Sequence, residues 1–278
     1  MDVTVAPRPR LRIDSRRHWI PDLRELLRAG QLIVLLGRRD ITVRYRQTVL
    51  GSVWIFTGPL VSAGLFTFVF GRVAKLPSGG VPYFAFSYAG LLGWNLFSST
   101  LSGASTSLNS NSSLISKIYF PRLVLPLASV ASTLINTAIS FGMMLVVLVA
   151  YGIGFSTHML LLPVWLLLAM VLAIGMGLIF TAFAVRYRDV NYVTTVFTSL
   201  LLYLSPVAYS TSAVPAELRR FYLLNPLTTI VEGCRWSLLG DANLSPWAIA
   251  YTVALSAGAL IIGAAVFTRL EWGFADVI

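Results

Sequence analysis

The sequence predicts an all-α integral membrane protein: six transmembrane helices, an N-terminal amphipathic interface helix and a re-entrant pair of short outer helices. Three observations carry this prediction. The first is composition. Of 278 residues, 56% are hydrophobic and only 12% charged, about half the roughly 25% of a soluble domain. With a mean hydropathy of +0.77, such a chain cannot cover a water-facing surface, which excludes a soluble enzyme and a disordered chain alike. The second is a set of six long runs without charge, each near the roughly 20 residues that a spanning helix needs. The third is the placement of charge. The net charge is +10, and the basic residues, nearly all Arg, flank the apolar runs. That pattern fits lipid headgroups and orientation better than nucleic acid. One cysteine, Cys234, excludes an internal disulfide, and with two histidines it leaves no basis for a structural zinc site.

Residues 1–21 read as a basic cytoplasmic arm. Arg8, Arg10, Arg12, Arg16 and Arg17 resemble the start of a secretory signal, but no apolar stretch follows. Residues 22–48 form an amphipathic interface segment, with Leu23, Leu26 and Leu27 on one face and Asp22, Arg24, Glu25 and Arg28 elsewhere. Residues 49–278 hold the transmembrane domain, with spans near 49–71, 83–106, 125–150, 160–185, 190–211 and 244–268. Between the second and third spans, Leu108 to Phe120 has helical spacing, with Leu108, Ile115, Ile118 and Tyr119 opposite Asn109, Ser112, Ser113, Ser116 and Lys117. Pro121 ends it or starts the next helix. The charge-free stretch from Leu123 to Val185 is too long for one span, and the turn from Tyr151 to His158 divides it. Arg186-Tyr-Arg-Asp189 is a polar hairpin before the fifth span.

The segment from Ser212 to Asp241 is too charged to span. Pro215 and Pro226 mark the starts of two short helices, because proline is favoured at the first helical position. These helices either dip into the membrane and back out or form an ordinary extracellular loop. Leaving aside the arm and the start of the interface segment, nine basic residues near the spans (Arg38, Arg39, Arg44, Arg46, Lys117, Arg122, Arg186, Arg188, Arg269) fall on the side of the N-terminus and five on the other. Both termini are therefore expected in the cytoplasm.

The chemistry is notable for what the sequence lacks. No Gly-x-x-x-x-Gly-Lys-Ser/Thr loop occurs, so ATP is not bound in that way. His18 and His158 stand apart from any catalytic partner, and no metal-ligand spacing is present. The predicted spans contain no Asp, Glu, His or Arg, which argues against an ion-coupled carrier. Aromatic residues are abundant: Trp54, Phe56, Tyr88, Trp94, Tyr192, Phe197, Tyr203 and Tyr209 are candidates for a substrate path, since rings stack on sugar faces while Tyr and Trp tips hydrogen-bond. The competing reading is an interfacial aromatic belt.

The segment from Leu36 to Trp54, followed by Gly58-Pro59, resembles the amino-terminal part of type-2 ABC exporter permeases. The Wzm-like polysaccharide exporters, with their O-antigen and teichoic-acid permeases, are the nearest branch. Lys117-Ile-Tyr-Phe-Pro-Arg122, Tyr187-Arg-Asp189, Ser205-Pro-Val-Ala-Tyr209, Leu224-Asn-Pro-Leu-Thr228 and the tail from Glu271 to Ile278 are similar too. The resemblance runs from about residue 30 to the end. It implies a homodimer with two copies of a separate Wzt-like cytoplasmic ABC ATPase, which would carry the ATP and Mg; no cofactor is expected in this chain. It also implies a bacterial inner-membrane location and export of an undecaprenyl-linked glycan of O-antigen, galactan or teichoic-acid type. A drug or lipid exporter of the same type is the alternative.

With that resemblance, Arg44, Arg46, Lys117 and Arg122 become candidates for contact with a pyrophosphate headgroup, against a plain role as orienting charges. Arg39, Asp40, Ser113, Ser116 and Lys117 are candidates for ATPase coupling. Phe221, Tyr222, Glu232, Arg235 and Trp236 are candidates for an outer lid. In it Glu232 and Arg235, three apart on one helix face, would brace each other or a partner.

Overall fold

A computed structural model describes residues 23–45, 53–115, 117, 120–187, 189–240, 244–271 and 273–274. The arm at 1–21, Arg46 and Ser116 lie outside these residues, as do the side chains of Arg44 and Trp54. Among the described residues the secondary structure is helical, with no strand. In chain order the helices are α1 (Leu23–Arg28), α2 (Gly30–Tyr45), α3 (Val53–Phe66), α4 (Tyr83–Ser110), α5 (Ser112–Ile115), α6 (Val124–Ala150), α7 (Leu162–Ala184), α8 (Val190–Leu204), α9 (Ala216–Leu223), α10 (Pro226–Leu239) and α11 (Pro246–Glu271). A π-helical stretch, Thr67–Val73, continues α3, and short 3₁₀ turns precede α7 and α9.

Each of the six uncharged runs forms a helix. Among the described residues, four stretches are both long and apolar enough to cross a membrane: Ile55–Val73, Val124–Ala150, Thr157–Ala184 and Pro246–Glu271. The other two fall short for different reasons. At 28 residues α4 is long, but its second half is rich in serine. At 15 residues α8 is apolar but only about 22 Å long at 1.5 Å per residue, against a hydrocarbon core of about 30 Å.

The amino-terminal segment and the stretch after α4 depart from expectation. The described part of the 22–48 segment forms two helices: α1 ends at Arg28, and α2 packs against α6, burying Leu36 in a core with Leu108, Leu125 and Phe267. The amphipathic helix expected over 108–120 does not exist as a unit. Among its described residues, the first three belong to α4, which continues to Ser110, and Ser112–Ile115 forms a separate turn. The helix runs on because no proline interrupts it and because Thr106 and Ser110 bond back to the carbonyls of Ser102 and Thr106, which satisfies their hydroxyls without breaking the helix.

The centre of the molecule is α7, which packs against α4, α10 and α11. It meets α11 at Gly175 and Gly263, where the backbones touch: a Cβ added at Gly263 would collide with the Gly175 backbone. Small residues allow this approach where lipid supplies no hydrophobic drive. Leu96, Phe97, Leu101, Leu172, Ile230 and Leu238 fill the space among α4, α7 and α10.

The start and stop of α10 are set locally. Asn225 caps it by accepting from the Leu227 N–H at 3.1 Å, and Pro226 occupies the first position. Gly240 ends it at φ +80°, a left-handed conformation that favours glycine, with its N–H bonded to the Trp236 carbonyl.

Candidate functional site

A groove of about 1220 Å³ opens between α4, α6 and α8 and reaches the end of α2. Its α4 wall carries Ser98, Ser99, Ser102, Ser105, Thr106 and Ser110; its α8 wall carries Asn191, Thr194, Thr195, Thr198 and Ser199; Ser129, Ser132 and Thr133 of α6 complete it. Spacings of three and four place each set on one face of its helix. The charged lining residues are Arg39, Asp40 and Lys117. Arg39 donates to Asp40 Oδ1 at 2.9 Å and also to Asn111 Oδ1, joining α2 to the end of α4. Of the residues expected to couple to an ATPase, Arg39, Asp40, Ser113 and Lys117 are thus gathered at one end of this groove.

Away from the groove, a second cluster is organised by Arg235, a fully buried side chain. Its guanidinium donates to the carbonyl of Val207 at 2.6 Å, of Tyr209 at 3.2 Å and of Phe86 at 3.4 Å, and to Glu232 Oε1 at 3.4 Å. It also lies 3.8 Å from the centre of the Phe86 ring. Glu232 accepts from the Thr211 N–H and hydroxyl at 3.3 and 3.2 Å. Tyr83 donates to the Ala208 carbonyl. The carbonyls of Val207, Ala208 and Tyr209, in the irregular stretch where α8 has ended, are therefore satisfied by side chains of α10 and α4. A side chain at residue 90 is excluded because its Cβ would sit 2.7 Å from Arg235 Nη2. Charges taken out of water are costly unless paired and hydrogen-bonded, and every nitrogen of this guanidinium has an acceptor.

The expected site residues are dispersed. Glu232 and Arg235 do pair, as their spacing indicated. Tyr209 donates its single phenolic proton to the Tyr203 carbonyl at 2.9 Å and accepts from the Tyr222 hydroxyl at 3.0 Å, linking this stretch to α9. Trp236 packs on His158 with ring centres 4.5 Å apart. Phe221 is exposed. Among the path candidates, Tyr88 and Trp94 are buried within the helix core, Tyr88 donating to the Ser140 carbonyl at 3.1 Å. Phe197 packs on Phe180, while Phe56, Tyr192 and Tyr203 are exposed. None of the described path candidates lines the hydroxyl groove. The guanidinium of Arg122 holds the end of α11: it donates to the Glu271 carbonyl and lies 5.7 Å from the Phe274 ring.

Sequence reasoning passed over the hydroxyl faces of α4 and α8. The signal was the run of Ser and Thr at intervals of three and four within otherwise apolar segments, Ser98, Ser102 and Thr106 above all.

Comparison with known proteins follows the same lines. The profile described as ABC-2 type transporter matches residues 31–239. An O-antigen export system permease protein (RfbA) of Myxococcus xanthus is 30% identical over 211 residues, covering 75% of this chain and 80% of that protein. A protein of the same description from Klebsiella pneumoniae is 26% identical over 250 residues, covering 89% and 95%. The polysialic acid transport protein KpsM of Escherichia coli is 25% identical over 242 residues, covering 84% and 91%.

Proposed function

This chain belongs to the ABC-2 type transporter family, and from that premise we propose that it is the permease subunit of an ATP-driven exporter moving a lipid-linked polysaccharide across the cytoplasmic membrane. The observation that carries the reading is the hydroxyl-lined groove. Serine and threonine hydroxyls exchange hydrogen bonds with a polyhydroxylated chain and its water, and none acts as a nucleophile without a base beside it. The names of the relatives support the same substrate class.

In this reading α4 and α8 join the four apolar helices as six spans, with Ser205–Ser210 completing the depth that α8 lacks. The α9–α10 pair re-enters from the outer side and acts as a lid, α1 lies at the interface, and both termini face the cytoplasm. Two copies of the chain flank the path, and two copies of a Wzt-like ATPase bind ATP and Mg beneath them. The cluster of Arg39, Asp40, Ser113 and Lys117 marks the end that meets the ATPase. One observation favours a drug or lipid exporter instead: an apolar recess of about 420 Å³ lined by Phe97, Leu172, Met176, Phe197 and Leu201 among others.

Depletion of the protein in its host tests the proposal. A polyprenyl-linked glycan should accumulate in the inner leaflet and disappear from the surface. Unchanged surface glycan, with altered sensitivity to apolar compounds, would overturn it in favour of the second reading.

A further inference from the structure

Most hydroxyls of the groove already use their single proton. Thr106 donates to the Ser102 carbonyl at 2.9 Å, Thr133 to Ser129 at 3.5 Å, Thr195 to Asn191 at 3.0 Å and Ser199 to Thr195 at 2.9 Å. A hydroxyl whose proton is held by its own helix keeps only lone pairs for a ligand. Asn191 Oδ1, another acceptor in this wall, is buried and has no partner. Ser99, Ser102 and the Asn191 amide nitrogen keep protons to give, but the other α4, α6 and α8 hydroxyls offer lone pairs, so the wall is richer in acceptors than in donors and suits a ligand that brings its own O–H groups. A sugar hydroxyl is such a donor, whereas a carboxylate or phosphate can only accept.

Charge points the same way. The basic lining residues among those described are Arg39 and Lys117, both near the α2 end, and Arg39 is already paired with Asp40. Farther in, the described lining residues hold no cation for an anion to meet. An anion drawn into such a place is penalised by lost hydration without compensation.

From this acceptor-rich wall and the scarcity of cations among its described lining residues we propose that the groove selects glycans whose repeating units carry no negative charge and rejects polyanionic ones. The proposal rests on the reading that the chain exports a glycan, and it names the class of glycan.

The test uses the permease with its partner ATPase in proteoliposomes. Two probes of equal length are compared: polyprenyl-pyrophosphate carrying a neutral oligomannoside, and the same lipid carrying oligosialic acid. The neutral probe should move at least about tenfold faster, the equivalent of about 1.4 kcal/mol. Thr195→Arg, and independently Ser102→Arg, should narrow that ratio by raising transport of the sialylated probe. Equal transport of both probes by the native protein would overturn the selectivity and leave glycan export standing. A ratio unmoved by either arginine would overturn the groove as its source. Transport of neither probe by a complex that hydrolyses ATP would overturn the glycan reading and this inference with it.

Discussion

At the residue scale, Arg235 carries the greatest structural weight. Its fork meets three carbonyls and a carboxylate from three parts of the chain. Arg235→Ala leaves Glu232 and those carbonyls short of a donor, and the expected loss is about 3–5 kcal/mol, seen as a lower Tm in detergent. Arg235→Lys keeps the charge but not the planar fork, so it should fall between the two. Glu232→Gln should cost less, about 1–3 kcal/mol, because the amide oxygen still accepts from Thr211. A Glu232→Gln protein as unstable as Arg235→Ala would show that the ion pair, not the carbonyl bonds, holds the stretch. Gly90→Ala tests the same cage from outside. Its Cβ would press on Arg235 and on the Val207 carbonyl, 3.0 Å away, with a cost of about 1–3 kcal/mol.

At the element scale, two contacts set the arrangement of helices. The α7–α11 contact depends on Gly175 and Gly263. Gly263→Leu must push the helices apart, and the expected result is poor accumulation of folded protein, measured by monodisperse yield in detergent. The contact between α2 and the end of α4 runs through Arg39 and Asn111. Cysteines at these two positions should be joined in membranes by a reducible bifunctional thiol reagent, which spans the reach of the arginine side chain that a direct disulfide cannot, and the native thiol, Cys234, is buried and should not compete. If α2 moves when the groove opens, export should stop on crosslinking and return on reduction. Export that continues with the bond formed would remove α2 from the gating of the groove.

At the scale of the whole molecule, polarity is divided along the bundle. The hydroxyl groove opens at the α2 end, and the loop of residues 205–210 with α9 and α10 lies away from it. Water-soluble thiol reagents applied from outside should label a cysteine at Ser212 or Leu218, both exposed, and leave one at Ser113 untouched until the membrane is opened. A cysteine at Ile230, which is fully buried, should stay unreactive throughout. Equal labelling at Leu218 and Ile230 would mean that the outer segment is an open loop and no lid.

Composition and pattern alone determined the membrane class, the six helical runs, and the start of α10 at Pro226. These follow from hydropathy and from proline's missing N–H, properties of residues and their immediate neighbours. The Glu232–Arg235 pair was legible for the same reason, being three apart on one helix. The tertiary structure alone decided what Arg235 holds, because Phe86, Val207 and Tyr209 act through backbone carbonyls, which every residue type possesses. It decided that Leu108 closes α4 and packs on Leu36 instead of opening a separate helix. It also decided that the serines of α4 face the threonines of α8 across one groove. Each hydroxyl could have been content within its own helix, and only the packing of α4, α6 and α8 turned three polar faces into a single surface.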